Sequence, residues 1–426
     1  MAYTGSIRVP SDKSLSHRAV LFAGIASGTS HLRNLLPSDD VISSLEAMRT
    51  LGAAIDLEQG ARGLNGTITG IGGKPGVQGT ADIDCGNSGT TTRLLMGLIC
   101  GLGVRARLHG DASLSRRPME RVMKPLRAMG ARFTAQEGGR LPLVIEPTRG
   151  LTAVSYTTEQ ASAQVKSAIL LAGLQARGTT TVTEPAHSRD HTELLLPAFG
   201  VPVAVNGLSA SVEGPARLHA HDMSVPGDPS SAAFIAVAAA LVEGSDVRIA
   251  DVALNETRIG ALRVLERMGV RISFGNRHDE GAEPVGDVRV RYSPTLRATT
   301  VAAAEIASLI DEIPVLALAA AAGQGETVFE EAGELRVKES DRFAAIIDML
   351  GALGVRAFAD GDDLHIVGGL AEPPASLQLP VYHDHRLAMT AHLLGKCFGV
   401  DVAADDPDCV SVSWPSFYED LAELES

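Results

Sequence analysis

The stretch LRVLERMGVRI (residues 262–272) combines an amphipathic helix, a glycine and a short β-branched run. Apolar residues spaced three and four apart predict the helix, and a glycine after its last turn predicts the left-handed residue that closes it. The same order of features recurs in LEAMRTLGAAI (45–55), MKPLRAMGARF (123–133), LLLPAFGVPV (194–203) and IIDMLGALGVRA (346–357). We therefore predict five helix–strand elements with closing glycines at Gly52, Gly130, Gly200, Gly269 and Gly354. Their expected N-caps are Ser38, Ser115, Ser188, Asn255 and Ser340.

A second kind of helix occurs six times, with a polar or glycine-rich start followed by small apolar residues. Its copies are SDKSLSHRAVLFAGIASGTS (11–30), CGNSGTTTRLLMGLICGLG (85–103), ASAQVKSAILLAGLQARGTT (161–180), PGDPSSAAFIAVAAALVEGS (226–245), DEIPVLALAAAAGQGET (311–327) and HDHRLAMTAHLLGKCFGV (383–400). A recurrence of roughly 70 residues indicates a repeated supersecondary unit larger than ordinary solenoid repeats. We predict an α/β protein of two domains with three units each. The sheets should face solvent, and one apolar helix of each unit should lie inside.

Composition limits the classes of partner. With 426 residues the chain should hold two or three domains, and its net charge of −14 argues against a nucleic-acid partner. The four cysteines, Cys85, Cys100, Cys397 and Cys409, show no C-x-x-C spacing. That pattern disfavours a zinc site or disulfide framework and fits a reducing cytoplasm. The start of the chain lacks the apolar region of a signal peptide, and the longest apolar runs are too short to span a membrane.

The segment SDKSLSHR (11–18) places Lys13 and Arg18 at the start of a predicted helix, where the helix dipole is already positive. Two interpretations are open, a solvated helix start or a binding site for an anion. Further cations stand near the other repeat starts, namely Arg93, Arg117, Lys166, Arg189, Lys338, Arg342 and Arg386. Lys338 and Arg342 lie four residues apart, so a helix there would point them the same way. No Walker A or dinucleotide-binding glycine pattern is present, and the lone H-x-H of HDHR (383–386) is weak support for a metal site.

Ten stretches, in order, resemble the signatures of one enzyme family. They are SDKSLSHR, LLPSDD, CGNSGTTTRLLMG, SRRPMERV, SAQVKSAILLAGL, SRDHTE, VPGDPSSAAF, LIDEIPVLA, RVKESDR and HDHRLAM. Together they resemble EPSP synthases (3-phosphoshikimate 1-carboxyvinyltransferases) from Pro10 to about Tyr418.

The resemblance implies a fold and a reaction. The fold is a two-domain inside-out α/β barrel with three βαβαββ-type units in each domain. One domain should span residues 14–224, and the other residues 1–13 and 225–426, with hinges near 13 and 225. The reaction transfers the enolpyruvyl group of phosphoenolpyruvate to shikimate 3-phosphate and releases phosphate, without metal or organic cofactor. We expect a cytoplasmic monomer that binds only small molecules.

The resemblance also assigns residues. Asp311 is implied as the base for the attacking hydroxyl, Glu339 as the group that exchanges the methylene proton, and Lys13 as a third catalytic group. The expected substrate-binding set is Lys13, Ser14, Arg18, Asn87, Gly89, Arg117, Ser162, Ala163, Gln164, Arg189, Asp311, Lys338, Arg342, His385 and Arg386. Lys13 is grouped with Asp311 in the second domain. Where some family members carry a C-terminal lysine, this chain has Val412.

Three alternatives remain from the sequence. One is an RNA-end-modifying enzyme of related fold, which the acidic net charge and the absence of a nucleotide motif disfavour. UDP-N-acetylglucosamine enolpyruvyl transferases share the fold but typically carry a reactive cysteine, where this chain reads GDASLSRRP (110–118). The third alternative is a non-catalytic phosphosugar-binding protein on the same scaffold. The presence of both Asp311 and Glu339 argues against it, because carboxylates would not favour the binding of anions.

Overall fold

The chain is described by a computed structural model that covers residues 2–370 and 372–425. Contacts between Cα atoms divide it into two units. The terminal unit comprises the described part of residues 1–10, 226–278 and 284–426, and the middle unit comprises residues 11–225 and 279–283. Lys13 therefore belongs to the middle unit and not, as the sequence analysis expected, to the unit that contains Asp311.

The chain begins with one strand of the terminal unit, β1 (Thr4–Ile7), and then enters the middle unit. The elements of the middle unit are α1 (Lys13–Ile25), β2 (Thr29–Leu35), α2 (Asp39–Leu51), β3 (Ala54–Gln59), β4 (Leu64–Thr69), β5 (Thr80–Asp84), α3 (Gly89–Ile99), β6 (Arg105–His109), α4 (Ala112–Arg116), α5 (Glu120–Ala128), β7 (Arg132–Gln136), β8 (Arg140–Glu146), β9 (Leu151–Thr152), β10 (Ser155–Thr157), α6 (Ala163–Gly173), β11 (Ala176–Thr183), α7 (His191–Ala198), β12 (Val203–Asn206), β13 (Ser209–Gly214) and β14 (Met223–Ser224).

The chain then returns to the terminal unit. Its elements are α8 (Pro229–Leu241), β15 (Asp246–Ala253), α9 (Gly260–Arg267), β16 (Arg271–Glu280), β17 (Glu283–Arg291), β18 (Thr300–Val301), α10 (Ala303–Ile306), α11 (Ile313–Ala322), β19 (Glu326–Phe329), α12 (Arg342–Leu353), β20 (Arg356–Asp360), β21 (Asp363–Val367), β22 (Ser376–Leu379), α13 (His385–Phe398), β23 (Asp401–Ala404) and α14 (Phe417–Leu424). Three short 3-10 helices, Ile310–Glu312, Ala332–Val337 and Pro407–Val412, lie between them.

The sheets repeat one topology. In β5-β6-β8-β7 the first pair is parallel and the others antiparallel, and β10-β11-β13-β12 and β18-β19-β21-β20 have the same order. Chain order makes each of these a βαβαββ unit, as predicted. Two further sheets, β14-β2-β4-β3 and β1-β15-β17-β16, take their first strand from a distant part of the chain.

The sixth repeat is shorter than the other five. Its sheet contains only the parallel pair β22-β23, and a 3-10 helix and α14 follow in place of a hairpin. None of the sheets formed by residues 2–370 and 372–425 closes into a barrel. The predicted α/β class and repeat architecture are confirmed, with open sheets.

The first helix of each repeat forms the interior. In α8 every residue before the last is buried, and α11 is buried along nearly its whole length, as their small apolar composition predicts. The helices α3 and α6 approach so closely that a Cβ at Gly97 would lie 2.3 Å from the carbonyl oxygen of Ala168. Strands instead alternate buried residues with more accessible ones, as in β8. The helices are therefore inside, and the sheets have one face in contact with solvent.

The closing glycines are confirmed, because all five have positive φ between 88° and 107°. Most predicted N-caps are wrong. Only Ser38 holds that position, while the other helices begin after Met119, Asp190, Ile259 and Asp341. Ser115 lies within the separate helix α4, and Asn255 accepts a hydrogen bond from the backbone of Thr257 in a preceding turn. Within the described residues no helix is long and apolar enough to cross a membrane.

Candidate active site

Lys13 is the first residue of α1, and Asp12 caps that helix by accepting a hydrogen bond from Leu15 N at 2.8 Å. Lys13 Nζ lies 2.8 Å from Asp40 Oδ2, and the lysine side chain is about a quarter exposed. Asp40 therefore holds the ammonium group while part of the lysine side chain stays accessible to solvent. Ser14 follows it, half-buried.

Arg18, one turn further along α1, is buried with hydrogen bonds to neutral groups. Its guanidinium donates to Thr192 Oγ1 at 2.8 Å, Ser167 Oγ at 2.9 Å and the carbonyl of Ser14 at 3.0 Å. Burial lowers the pKa of Arg18 to about 10, although nearby carboxylates, Glu193 first, favour its charged form. These bonds fix the orientation of a guanidinium that remains charged at neutral pH.

The start of α3 holds Gly89, with Ser88 as the N-cap. Arg117 Nη2 donates to Asn87 Oδ1 at 3.0 Å, so Asn87 and Arg117 lie together beside this helix start. An added Cβ at Gly89 would lie 2.8 Å from Arg93 Nη1 and 3.5 Å from Arg117 Nη1. Because Gly89 has no side chain, the guanidinium groups of Arg93 and Arg117 have room beside it.

The start of α6 presents three expected residues in sequence, Ser162, Ala163 and Gln164. Gln164 accepts a hydrogen bond from Arg93 Nη1 at 2.6 Å and donates one to Thr90 Oγ1 at 2.9 Å. The starts of α3 and α6 are therefore joined through this amide. Arg93 was named among the cations near the repeat starts but not in the expected substrate-binding set, although it lies in the CGNSGTTTR signature.

Two other cations of the middle unit differ in their surroundings. Arg189 is half-buried and precedes α7, and its positive charge lowers the pKa of Arg18. Lys166 is buried and forms ion pairs with Glu184 at 2.7 Å and Glu193 at 2.8 Å. Lys166 was expected among the cations at repeat starts, but its carboxylate partners make it part of an internal ion cluster.

Asp311 occupies a 3-10 turn before α11 in the terminal unit. Its Oδ1 lies 3.2 Å from Arg342 Nη1 and 3.7 Å from Lys338 Nζ, and its side chain is 18% exposed. Two cations thus hold a partly accessible carboxylate. Such a group suits the acceptance of a proton better than the binding of an anion.

Arg342 is the first residue of α12 and is buried among three carboxylates. It donates to both oxygens of Asp384, at 2.8 and 3.2 Å, and pairs with Glu339 at 2.7 Å. Burial alone would lower the pKa of Arg342, but Asp384, Glu339 and Asp311 outweigh it and raise the pKa above its ordinary value. Asp384, which the sequence analysis missed, has its pKa lowered because Arg342 outweighs the cost of burial.

The start of α13 supplies His385 and Arg386. Arg386 Nη1 donates to the carbonyl of Asp311 at 3.0 Å and to Glu312 Oε1 at 3.2 Å, so it holds the 3-10 turn that carries Asp311. His385 is buried, whereas His383 is exposed and pairs with Asp406. Among the described residues no group of three or more His, Cys, Asp or Glu side chains could hold a metal ion.

No single helix carries both Lys338 and Arg342. Lys338 follows the 3-10 helix Ala332–Val337 with an extended backbone, and Asp341 begins a new helix by accepting a hydrogen bond from Ala344 N. The two cations nevertheless both reach Asp311. The turn between the two helical segments therefore brings both side chains to the same carboxylate, as the four-residue spacing had suggested.

A model described as EPSP synthase (3-phosphoshikimate 1-carboxyvinyltransferase) matches residues 2–421. The chain belongs to the EPSP synthase family. Curated family members named 3-phosphoshikimate 1-carboxyvinyltransferase support this. The one from Gloeobacter violaceus is 46% identical over 99% of this chain and 96% of its own length, and the one from Acidiphilium cryptum is 46% identical over 97% and 93%.

Solved structures agree with the family assignment. EPSP synthase from Acinetobacter baumannii has a TM-score of 0.86 and 38% identity, and the match covers 99% of this chain and 96% of that one. The enolpyruvyl transferase NikO from Streptomyces tendae has a TM-score of 0.77 and 21% identity, with 99% and 95% covered. That second likeness concerns the fold alone.

Within this member of the EPSP synthase family, the expected residues form two groups, one in each unit. The middle-unit cluster contains Lys13, Ser14, Arg18, Asn87, Gly89, Arg117, Ser162, Ala163, Gln164 and Arg189. The terminal-unit cluster contains Asp311, Lys338, Glu339, Arg342, His385 and Arg386. Arg93 adds to the first group, and Asp384 and Glu312 add to the second. All three lie within or next to quoted signatures, but sequence alone could not show which contacts they make.

Proposed function

We propose that this chain transfers the 1-carboxyvinyl group of phosphoenolpyruvate to the 5-hydroxyl of shikimate 3-phosphate, with release of phosphate. The observation that carries the proposal is Asp311, a partly exposed carboxylate held between Lys338 and Arg342. The full-length similarity to 3-phosphoshikimate 1-carboxyvinyltransferases supports it. We further propose a cytoplasmic enzyme, acting as a monomer on the route to chorismate.

In this proposal the middle-unit cluster binds the anionic groups of the substrates. Ser14, Arg18, Ser162, Ala163, Gln164 and Arg189 bind shikimate 3-phosphate, while Lys13, Asn87, Gly89 and Arg117 bind phosphoenolpyruvate. Arginine is suited to this role because its planar fork donates to two oxygens of phosphate or carboxylate at once. The glycine at position 89 lets an anion approach the backbone N–H groups at the start of α3.

The terminal-unit cluster performs the proton transfers. Asp311 removes the proton of the 5-hydroxyl while the hydroxyl oxygen bonds to C2 of phosphoenolpyruvate, and Glu339 delivers a proton to C3. A tetrahedral intermediate results. In the second step C3 loses a proton, the double bond re-forms, and the C–O bond to phosphate breaks. Each step needs one group to give a proton and another to take one, which two separate carboxylates can provide.

The cations of this cluster stabilise the charge that develops during reaction. Lys338, Arg342 and Arg386 lie close to Asp311, and Arg342 and Arg386 bind phosphoenolpyruvate in the proposal. Because Asp384 and Glu312 already fix the orientation of these two arginines, little reorganisation is required when the substrate binds. Preorganised donors of this kind are an effective source of transition-state stabilisation.

Phosphate release from phosphoenolpyruvate tests the proposal. We expect release with shikimate 3-phosphate as acceptor and none with UDP-N-acetylglucosamine. Phosphate release with UDP-N-acetylglucosamine but not with shikimate 3-phosphate would support the alternative transferase. Tight binding of shikimate 3-phosphate without any release would support a non-catalytic binding protein.

A further inference from the structure

Three buried charged side chains lie together in the middle unit. Lys166 Nζ is 2.7 Å from Glu184 Oε2 and 2.8 Å from Glu193 Oε1, and all three side chains are at most 6% exposed. Charged groups at this depth lose several kcal/mol of hydration, so they require good partners. None of the three was assigned a role in the proposed reaction. We call them the Lys166 cluster.

Glu184 connects the Lys166 cluster to two segments of the candidate site. Its Oε1 accepts a hydrogen bond from the backbone N–H of Ser162 at 2.8 Å, and both of its oxygens lie 2.8 Å from Ser188 Oγ. Ser162 directly precedes α6, and Ser188 directly precedes Arg189. One carboxylate therefore sets the relative position of both segments.

Lys166 reinforces the same link and supplies the compensating charge. Its Nζ also lies 3.4 Å from the carbonyl oxygen of Ser188. Burial lowers the pKa of Lys166, but Glu193 and Glu184 outweigh it and raise the pKa overall. Burial raises the pKa of Glu193, even with Lys166 beside it. Lys166 thus remains a cation and offsets the negative charge of Glu193. This matters for Arg18, because Glu193 is the carboxylate that most favours its charged form.

We propose that Lys166 and Glu184 are positioning residues for recognition of the phosphate group of shikimate 3-phosphate. Glu184 holds Ser162 and the Ser188–Arg189 segment in place. Lys166 prevents Glu184 and Glu193 from repelling the bound anion. Since Lys166 lies in SAQVKSA and Glu193 in SRDHTE, the inference also gives a physical reason for these two stretches to occur in one chain. It rests on the proposed function.

The first test replaces Lys166 by Met, which keeps an unbranched apolar side chain and removes the charge. We expect the Kd for shikimate 3-phosphate, measured by calorimetry, to rise tenfold to hundredfold. The KM for phosphoenolpyruvate and kcat at saturating shikimate 3-phosphate should stay within about threefold. Lys124→Met is the control, because Lys124 pairs with Glu159 on the surface of the same unit. It should leave all three constants unchanged.

The second test compares two substitutions of Glu184. Glu184→Ala removes every acceptor for Ser162 and Ser188, so its effect on the Kd should match or exceed that of Lys166→Met. Glu184→Gln keeps one oxygen acceptor, and we expect a smaller rise of about threefold to tenfold. If the other two variants do not fold, Glu184→Gln tests the positioning role by itself, because it replaces only one carboxylate oxygen by an amide nitrogen.

The outcomes separate this inference from the proposed function. If wild-type protein neither binds shikimate 3-phosphate nor releases phosphate with it, the proposed function fails. If wild type is active but folded variants keep a wild-type Kd, the positioning role is overturned. An equal loss for both substrates, or a loss confined to kcat, would also overturn it, because neither is specific to the shikimate phosphate.

Discussion

Arg18 in the middle unit and Arg342 in the terminal unit are both fully buried, yet their surroundings are opposite. Arg18 donates to the hydroxyls of Thr192 and Ser167. Arg342 instead forms ion pairs with Asp384, Glu339 and Asp311. Burial lowers the pKa of Arg18 to about 10, whereas the three carboxylates outweigh burial and raise the pKa of Arg342.

This difference separates binding from chemistry. Hydroxyl partners orient a guanidinium without neutralising it, so Arg18 can still attract an anion. Carboxylate partners neutralise the arginine, but they place groups that accept protons beside cations that stabilise negative charge. We therefore assign anion binding chiefly to the middle-unit cluster and proton transfer to the terminal-unit cluster.

The largest expected effect comes from Asp311→Asn, which retains shape and hydrogen bonding but removes the base. We predict that saturating turnover falls by about 10²–10⁴-fold, the usual range for loss of a general base. Asp348→Asn is the matched control, since Asp348 is exposed on α12 of the same unit. Turnover of Asp311→Asn within threefold of wild type would place proton removal elsewhere.

Arg18→Lys should produce the next largest effect, on binding. Lysine cannot reproduce three donated bonds in a planar fork, and charge-assisted hydrogen bonds contribute about 1.5–3 kcal/mol each. We predict that the Kd for shikimate 3-phosphate rises tenfold or more, measured by calorimetry. The control is Arg107→Lys, at an exposed position paired with Asp82. A KM change restricted to phosphoenolpyruvate would contradict the assignment.

Gly89→Ala should affect phosphoenolpyruvate more mildly. The new methyl group would meet the end of the Arg93 side chain at 2.8 Å, and a flexible guanidinium can shift. We expect a cost near the lower end of the 1–3 kcal/mol typical of overpacking, which is roughly five- to tenfold in KM. Gly351→Ala in α12 is the control, because its Cβ would have no atom within 4 Å. Equal KM values for both variants would remove Gly89 from the substrate site.

One buried histidine and one half-buried histidine, one in each unit, give a predicted effect on stability instead of activity. Burial lowers the pKa of His17 to about 3 and that of His392 to about 4, from 6.5. Between pH 6.5 and these values the unfolded chain binds a proton that the folded chain does not. The free energy of unfolding should therefore decrease as pH falls, by on the order of 1 kcal/mol per unit of pKa difference.

Urea unfolding at pH 7 and pH 4.5 measures this effect. His17→Asn should lose less stability than wild type between the two pH values, and His392→Asn should show the same trend to a lesser degree. His17 is surrounded by Asp40, Lys13 and Arg18, whose charges partly oppose one another. A wild-type decrease in both variants would mean that other groups dominate acid sensitivity.

The sequence predicted the repeat architecture well because its signals are local. Gly52 and Gly354 close their helices since a left-handed residue is needed there, and small apolar residues in α8 and α11 require an interior location. Helix starts such as Met119 were missed because a turn and the short helix α4 intervene. Local spacing does not specify such turns.

The contacts within the clusters could not be predicted in the same way. Lys166 resembled an anion-binding cation until Glu184 and Glu193, distant in sequence, were seen to neutralise it. Asp384 stands in a quoted signature, but Arg342, which donates a hydrogen bond to it, lies 42 residues away in the sequence. Pairings of this kind depend on tertiary packing, which a single sequence does not encode in any local pattern.

Calorimetric titration of shikimate 3-phosphate into Asp311→Asn and Arg18→Lys, side by side, tests the division between the two clusters most directly. The account predicts a Kd within about threefold of wild type for Asp311→Asn and at least tenfold weaker binding for Arg18→Lys. Weakened binding by Asp311→Asn together with wild-type binding by Arg18→Lys would contradict it.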